Sequence, residues 1–498
     1  MKLVFIIIQK NQRIKHFILC KIQVLNKNLI TDIIIKEWSK SIMIKKNEEY
    51  IVEIIDNGFQ GEGIAKIDNF TIFVQNAIKG EKIRILIVKV LSSYAYGKIL
   101  EFINKSEFRE IEDCATYKRC GGCSLRHIRY DETLKIKQNV VQSLANKNLK
   151  NKVEVEETLE MENPFNYRNK AQYPIGKDKN GKAVMGVFAN RTHDIIPIES
   201  CLIQNKESEI IAKFIFDFIV DNNISIYDEK TNSGIIRHIA TKIGIKTNEI
   251  MCIIVINGYS IPKEEELVNK VVMKFPNVKT IVKNINKRNT NVIFGQENIP
   301  IYGEGVIRDK LGGFIFNISP LSFYQVNPVQ AEKLYKIGVD SAQIKKSDIV
   351  FDLYCGIGTI SLFMAKFAKK VYGIEIVDEA VKDAKENAKL NCVNNAEFIA
   401  GDVELILDEL INEKHIMPDV IMIDPPRKGL DKKSIDNILR IKPKKVVYIS
   451  CNPSTLIRDL SCIEDIYNIL KIKPVDMFPY TSHVECVCVL ELKESTEK

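Results

Sequence analysis

Apolar positions along this chain change their period from one region to the next. Between residues 43 and 101 they fall in short β-branched runs at 50–55, 71–74, 82–90 and 97–102, the signature of strands. Asn57-Gly58, Gly61-Glu62-Gly63, Asp68-Asn69 and Lys79-Gly80 punctuate these runs as turns. Runs of this kind predict an OB-like barrel, which five short strands would close, an architecture often used for oligonucleotides. From Cys114 to about residue 210 the pattern gives way to a cysteine cluster, a basic helical stretch and polar loops, and 211–320 alternates strands and helices without a readable chemical motif. From about residue 331 the rhythm is β-α-β-α, with apolar strands at 349–353, 370–376, 420–423 and 446–450. That predicts a parallel, doubly wound α/β domain whose ligands gather at the carboxyl ends of the strands.

Charge adds little to this picture. The formal net charge is +8, but residues 1–42 carry eight Lys or Arg against only Asp32 and Glu37, so most of the excess lies there. The 43–101 segment is balanced, and Phe59, Phe73, Tyr94 and Tyr96 read either as its core or as base-stacking rings. The apolar run 3–8 is too short for a signal-peptide core, and basic residues interrupt every later apolar stretch near it. Residues 1–42 therefore read as an extension ahead of a start at Met43. Twelve cysteines without a secretory signal point to a reducing cytoplasm, where clustered thiols bind metal or perform chemistry. Cys20, Cys252, Cys392, Cys462, Cys486 and Cys488 read as core or incidental thiols.

The α/β region carries four strand-end signals. Residues 349–359 (IVFDLYCGIGT) run from an apolar strand into Gly356-x-Gly358 and a helix, where the backbone can approach a ligand closely. Glu375 ends the next strand, at the position of a ribose-holding carboxylate, and Asp402 follows a third strand within reach of an adenine amino group. Asp424-Pro425-Pro426-Arg427 closes a fourth. Ordinary βα turns are the plainer reading of each. The four in order, without the full dinucleotide glycine pattern, favour S-adenosylmethionine over NAD.

Cys451 follows a buried strand and precedes Asn452-Pro453 and a helix (SCNPSTLIRDL), a placement that favours the thiolate through the positive helix end. Carbon 5 of uracil is a weak nucleophile toward a methyl sulfonium. A thiolate adding at carbon 6 makes carbon 5 nucleophilic, and a base must then remove the carbon 5 proton. Glu485, beside apolar neighbours in SHVEC, suits that base because burial raises a carboxyl pKa, and His483 is its rival.

With these residues in view, the sequence resembles the uridine-5 RNA methyltransferase family. It is closest to the bacterial 23S ribosomal RNA branch, which carries a TRAM domain and an iron–sulfur cluster. SFYQVNP, DLYCGIGT, DPPRKG and SCNPSTLIRDL stand in family order. The resemblance implies an α/β Rossmann-like methyltransferase domain at 331–498, preceded by an OB-like TRAM barrel at 43–101. Between them it implies an α+β central domain with the cluster at 102–330. It assigns Cys451 as nucleophile and Glu485 as proton acceptor. Gln325, Tyr354, Gly356, Glu375, Asp402 and Asp424 fall to the S-adenosylmethionine site, with Asp424 between cofactor and uracil.

Cys114-x5-Cys120-x2-Cys123 with the distant Cys201 reads, from spacing, as four thiolates on zinc or on iron–sulfur. The resemblance turns this into a 4Fe–4S cluster. Lys118, Arg119, Arg126, Arg129, Lys135 and Lys137 around it read as a basic surface for an RNA backbone. Tyr167-Arg168-Asn169-Lys170 and Arg237-His238 also match family patterns near an RNA-facing cleft, and without the resemblance they read as solvated loop residues. The partner so implied is ribosomal RNA, met by a cytoplasmic monomer with neither a membrane span nor an obligate protein partner. Two other readings are an amino-methylating enzyme built on Asp424-Pro425-Pro426, and an inactive iron–sulfur protein that binds RNA.

Overall fold

A computed structural model describes residues 44–190 and 192–494. The extension read at 1–42 lies outside the described residues. The rest divides into two compact units, one of residues 44–58 and 62–107, the other of 59–61 and 108–494.

In the first unit, six strands lie in the order Glu49–Glu53, Lys82–Val90, Tyr94–Asn104, Phe70–Val74, Gly63–Ile67 and Asp56–Asn57. Chain leaving the first strand runs directly into the last, and the Ile55 amide donates to the Ile64 carbonyl at 2.8 Å, so the sheet closes on itself as a barrel. Val52, Ile54, Ile72, Val74, Ile83, Ile85 and Ile87 alternate inward and fill it. Gly63–Ile67 is a strand that the sequence pattern hides among turns. A Cβ on Gly63 would stand 2.7 Å from Ala77 Cβ and 2.9 Å from Ile54 Cγ2, so close packing explains the missing side chain.

The second unit is built on two seven-stranded sheets. The first is mixed, in the order Glu297–Tyr302, Val278–Ile285, Ile250–Ile256, Ile236–Ile243, Lys170–Lys177, Ala183–Phe188 and Ile195–Pro197. Helices Lys206–Asp221 and Glu264–Lys274 cover one face. The other face, with Ala240, Met251, Ile253 and Val255, shares a core with the hairpin at 307–318 and helix Pro328–Ala342. Covered on both sides, its central strands Ile236–Ile243 and Ile250–Ile256 are buried at every position, and the second is apolar throughout.

The second sheet runs Ala396–Ala400, Lys370–Glu375, Ile349–Leu353, Val420–Ile423, Lys445–Ser450, Glu485–Leu492 and Tyr467–Val475. Its first five strands are parallel and the last two antiparallel to their neighbours. Helix Tyr130–Asn148 packs into this sheet's core through Val141, Ala145 and Leu149. Lys137 and Asp476 secure it as a fully buried ion pair at 2.5 Å, with the Tyr130 hydroxyl donating to the same carboxylate at 2.8 Å.

Candidate active site

The antiparallel placement of Glu485–Leu492 builds the site. Ser450 stands opposite Cys486, so Cys451, the next residue along, and Glu485, the one before, meet at the same sheet edge although 34 residues apart in sequence. Asn452 secures the turn in two ways. Its side-chain oxygen caps the helix Pro453–Ile463 by accepting from the Ser454 amide at 3.1 Å. Its amide nitrogen donates to the Arg427 carbonyl at 3.1 Å, tying the Cys451 turn to the Asp424–Pro425–Pro426–Arg427 loop.

Acidic groups accumulate here without a matching cation. Glu485 is 5% exposed, and burial together with the nearby Asp424 charge pushes its carboxyl up to about 8, Arg427 opposing. Burial raises Asp424 to about 7. Asp352, fully buried one strand away, is raised to about 7 mainly by burial, with Ser361 donating to one carboxyl oxygen and the other left unpaired. The Cys451 thiol is pushed up to about 11 by burial, then by Glu485 and Asp424. The expected thiolate-favouring field does not prevail: burial, followed by Glu485 and Asp424, outweighs Arg427.

Sequence reasoning missed Tyr335. Its place in the apolar stripe of helix Pro328–Ala342 makes it look like core. It is indeed 4% exposed, but its hydroxyl hydrogen-bonds the Gln325 side chain and faces Asp424, Glu485 and Asp352, whose charges add to burial in holding it well above its usual range. Gln325 itself sits on a loop pinned from the mixed sheet. Asn169 donates to the Gln325 carbonyl at 3.0 Å, and the buried Lys242 ammonium donates to the Ser319 and Ser322 carbonyls at 2.7 and 3.0 Å.

The expected cofactor residues line the same edge. The Gly356 amide donates to Glu375 at 3.1 Å, and Val377 donates to the other oxygen of that carboxylate at 3.0 Å. Gly356 has φ +54°, and a Cβ built on it meets nothing within 4 Å, so open space lies over this turn. Tyr354 takes φ +66° and places its hydroxyl 3.3 Å from that of Ser434. Asp402 is exposed and caps Val403–Asp408 by accepting from the Glu404 amide at 2.9 Å, a helix-cap role beside the ligand role expected of it.

Several expectations need correction. Tyr167, Asn169 and Arg237 are not solvated: they are 4%, 4% and 3% exposed. Arg237 is held by the carbonyls of Asn286 and Arg288 at 2.8 and 2.7 Å and stacks on Tyr227. Of the basic residues near the cysteines, Arg126 and Lys137 are buried, whereas Lys118, Arg119, Arg129 and Lys135 are exposed. Lys118, Arg126, Arg129, Lys135 and Lys137 pair with Glu112, Asp113, Asp131, Glu132 and Asp476. Arg126 is further buried over the Tyr480 and Phe165 rings.

Cys114, Cys120, Cys123 and Cys201 lie within one another's electrostatic reach. Cys123 is pushed up to about 12 by burial and then by Cys201 and Cys120. The Gly122 amide donates to Cys120 Sγ at 3.3 Å. Among the described residues, however, no group of three or more His, Cys, Asp or Glu is arranged to hold a single metal ion. The four thiols are thus neighbours without forming a one-ion zinc site.

The chain is similar to known proteins over most of its length. The family profile tRNA (Uracil-5-)-methyltransferase matches residues 129–493, and the TRAM domain profile matches 45–100. A Clostridium tetani protein described as an uncharacterized RNA methyltransferase is 46% identical over 452 residues, 91% of this chain and 98% of its own. A Staphylococcus epidermidis protein of the same description is 43% identical, covering 91% and 99%. The crystal structure of Pyrococcus abyssi tRNA (uracil-54, C5)-methyltransferase with S-adenosyl-L-homocysteine superposes with a TM-score of 0.70 at 25% identity, over 88% of this chain and 100% of its own. No helix among the described residues is long and apolar enough to cross a membrane. The chain belongs to the S-adenosylmethionine-dependent RNA uracil-5-methyltransferase family and carries a TRAM domain.

Proposed function

We propose that this protein methylates carbon 5 of a uridine in 23S ribosomal RNA, with Cys451 as nucleophile and Glu485 as proton acceptor. The observation that carries the reading is the strand pairing that sets Cys451 beside Glu485 at the edge that also holds Asp424. In the reaction Cys451 sulfur bonds to carbon 6, and the electron pair displaced to carbon 5 takes the methyl group from the sulfonium. Glu485 then accepts the carbon 5 proton, and the pair left behind restores the ring double bond as the carbon–sulfur bond breaks. A carboxyl raised to about 8 is, once ionised, a stronger base than an ordinary carboxylate, and its ionised fraction grows as pH rises through 8. The high Cys451 pKa also has a use. Burial, then Glu485 and Asp424, keep the thiol protonated, and a positively charged cofactor held by Asp424 would favour its ionisation.

Gln325, Tyr354, Gly356, Glu375, Asp402 and Asp424 hold S-adenosylmethionine in this reading, supported by their common edge and the open space over Gly356. Cys114, Cys120, Cys123 and Cys201 hold a 4Fe–4S cluster. Thiolates on a single tetrahedral ion stand only about 3.8 Å apart, whereas a cluster gives each thiolate its own iron and accepts a looser quartet. The electrostatic influence of Cys201, Cys120 and Cys114 on Cys123 supports the grouping. Ribosomal RNA is favoured because TRAM and the cysteine quartet together mark that branch of the family. Transfer RNA is the second reading, favoured by the likeness to the Pyrococcus abyssi enzyme. Cytoplasmic location follows from either substrate.

The test is incubation with S-adenosylmethionine and RNA transcripts carrying 5-fluorouridine, read on a denaturing gel. Fluorine at carbon 5 cannot leave as a proton, so the covalent adduct accumulates. An adduct with ribosomal RNA that is absent in Cys451→Ser is expected. An adduct with transfer RNA alone moves the substrate to the second reading, and its absence with both RNAs overturns the nucleophile assignment.

A further inference from the structure

We propose that Arg126 is a positioning residue for the proton acceptor: by clamping Tyr480 it fixes the connection at residues 476–484 that delivers Glu485, so the segment directly after Cys123 governs removal of the carbon 5 proton. The inference rests on Glu485 being that acceptor. It gives Arg126 a role exercised through Tyr480 rather than at the reacting atoms.

Glu485 is the first residue of its strand and stands opposite Val475, where the preceding strand ends. Burial, Asp424 and Arg427 act on its carboxyl, and no hydrogen bond is among the influences on it. Its aim therefore depends on the backbone that enters the strand. Three consecutive residues hold much of that backbone. The Ser124 and Leu125 amides both donate to the Tyr480 carbonyl, at 3.1 and 2.9 Å, and the Ser482 amide donates to the Ser124 hydroxyl at 2.7 Å. The Arg126 guanidinium lies 4.0 Å from the centre of the Tyr480 ring and 4.8 Å from that of Phe165. Just upstream, the Tyr167 hydroxyl donates to the Pro479 carbonyl and the Lys137 ammonium to the Phe478 carbonyl, each at 3.1 Å.

Tyr480 needs such a clamp. Its φ is +63°, a left-handed conformation that is costly for a bulky residue and persists only where the surroundings impose it. Packing alone does not account for Arg126. Its side chain is buried, its Nε donates to the exposed Asp113 carboxylate at 2.8 Å, and its Nη1 has no hydrogen-bond partner among the described residues. An apolar side chain in the same slot would avoid the cost of burying a charge. What the guanidinium adds is geometry. The Asp113 carboxylate orients its plane, and a cation over a ring face holds that ring in place. Asp113, Arg126 and Tyr480 thus form a chain of contacts that ends in the backbone leading to Glu485.

The experiment uses the full chain, S-adenosylmethionine with a labelled methyl group, and ribosomal and transfer RNA transcripts carrying ordinary uridine, with covalent adduct read on a denaturing gel. Arg126→Met and, as a second variant, Tyr480→Leu are expected to lower turnover about 10- to 100-fold, the scale of an ångström's misplacement. Both are expected to keep the parent's affinity for S-adenosylhomocysteine in calorimetry. Both should accumulate methylated RNA on Cys451, because carbon 5 keeps its proton and the carbon–sulfur bond stays intact. Tyr480→Phe, which keeps the ring beneath the guanidinium, is expected to restore the turnover lost in Tyr480→Leu. Added to Glu485→Gln, Arg126→Met is expected to cause no further loss, since the two act on one step. Thermal melting checks that each variant folds. Parental turnover in Arg126→Met and Tyr480→Leu overturns the proposal. So does a loss without adduct, a loss matched by weaker S-adenosylhomocysteine binding, or an additive loss in the double variant. If Glu485→Gln accumulates the adduct and the Arg126 and Tyr480 variants do not, only the positioning role fails. If Glu485→Gln turns over like the parent, the acceptor reading fails and takes the positioning role with it.

Discussion

The catalytic edge and the barrel surface treat charge in opposite ways. At the edge, burial dominates the upward shifts of Asp352, Asp424 and Glu485, the Asp424 charge adds to those of Asp352 and Glu485, and Arg427 opposes the shift of Glu485. On the barrel, Arg84 reaches Glu49 and Glu101 at 3.0 Å in full view of solvent. The barrel arrangement has conventional pairing and low energetic consequence, because water screens it. The edge arrangement is costly and unpaired, and such groups persist where chemistry uses them.

The largest effect should come from removing the costliest of these groups. Glu485→Gln is expected to lower turnover by 10²- to 10⁴-fold, about the usual contribution of a positioned base, and to leave methylated RNA attached to Cys451. The parent's rate should climb with pH as the Glu485 carboxyl ionises near 8, a limb the variant lacks. The stability sign follows from the same shift. The native fold holds the Glu485 proton above the ordinary value of 4.5, so stability falls as pH rises from there through 8. The glutamine variant escapes that loss, and its melting temperature should exceed the parent's at pH 8 by more than at pH 4.5. A variant equally or less stable at pH 8 would break the contrast drawn above.

Tyr335→Phe is a gentler probe. Loss of the hydroxyl frees the Gln325 side chain without opening a cavity, and calorimetry with S-adenosylhomocysteine should show about tenfold weaker binding, roughly one charge-influenced hydrogen bond. Unchanged binding would reduce Tyr335 to packing. Arg84→Ala sets the zero of the scale, with no measurable change in melting temperature or in methylation rate.

Legibility from sequence followed how local each determinant is. The parallel strands, the Gly356–Gly358 turn and the Asn452-Pro453 helix start were readable because period and capping chemistry are local. Glu485 was readable as buried from its apolar neighbours, but its position beside Cys451 depends on an antiparallel strand pairing that no local pattern encodes. Tyr335 was invisible because a polar atom at the end of a core-facing ring leaves periodicity unchanged. Arg237 and Lys137 are buried, against the solvated reading, because their partners, the Asn286 carbonyl and Asp476, arrive from distant segments.

The order of the last strands in the second sheet bears on biosynthesis. Glu485–Leu492 follows Tyr467–Val475 in the chain but lies inside it in the sheet, between that strand and Lys445–Ser450. A nascent chain can therefore display Cys451, the glycine turn and the Asp424 loop while the sheet still lacks its penultimate member. On the proposed mechanism, the thiol has no neighbouring base until the ribosome has released that strand, so a half-made polypeptide would lack its proton acceptor.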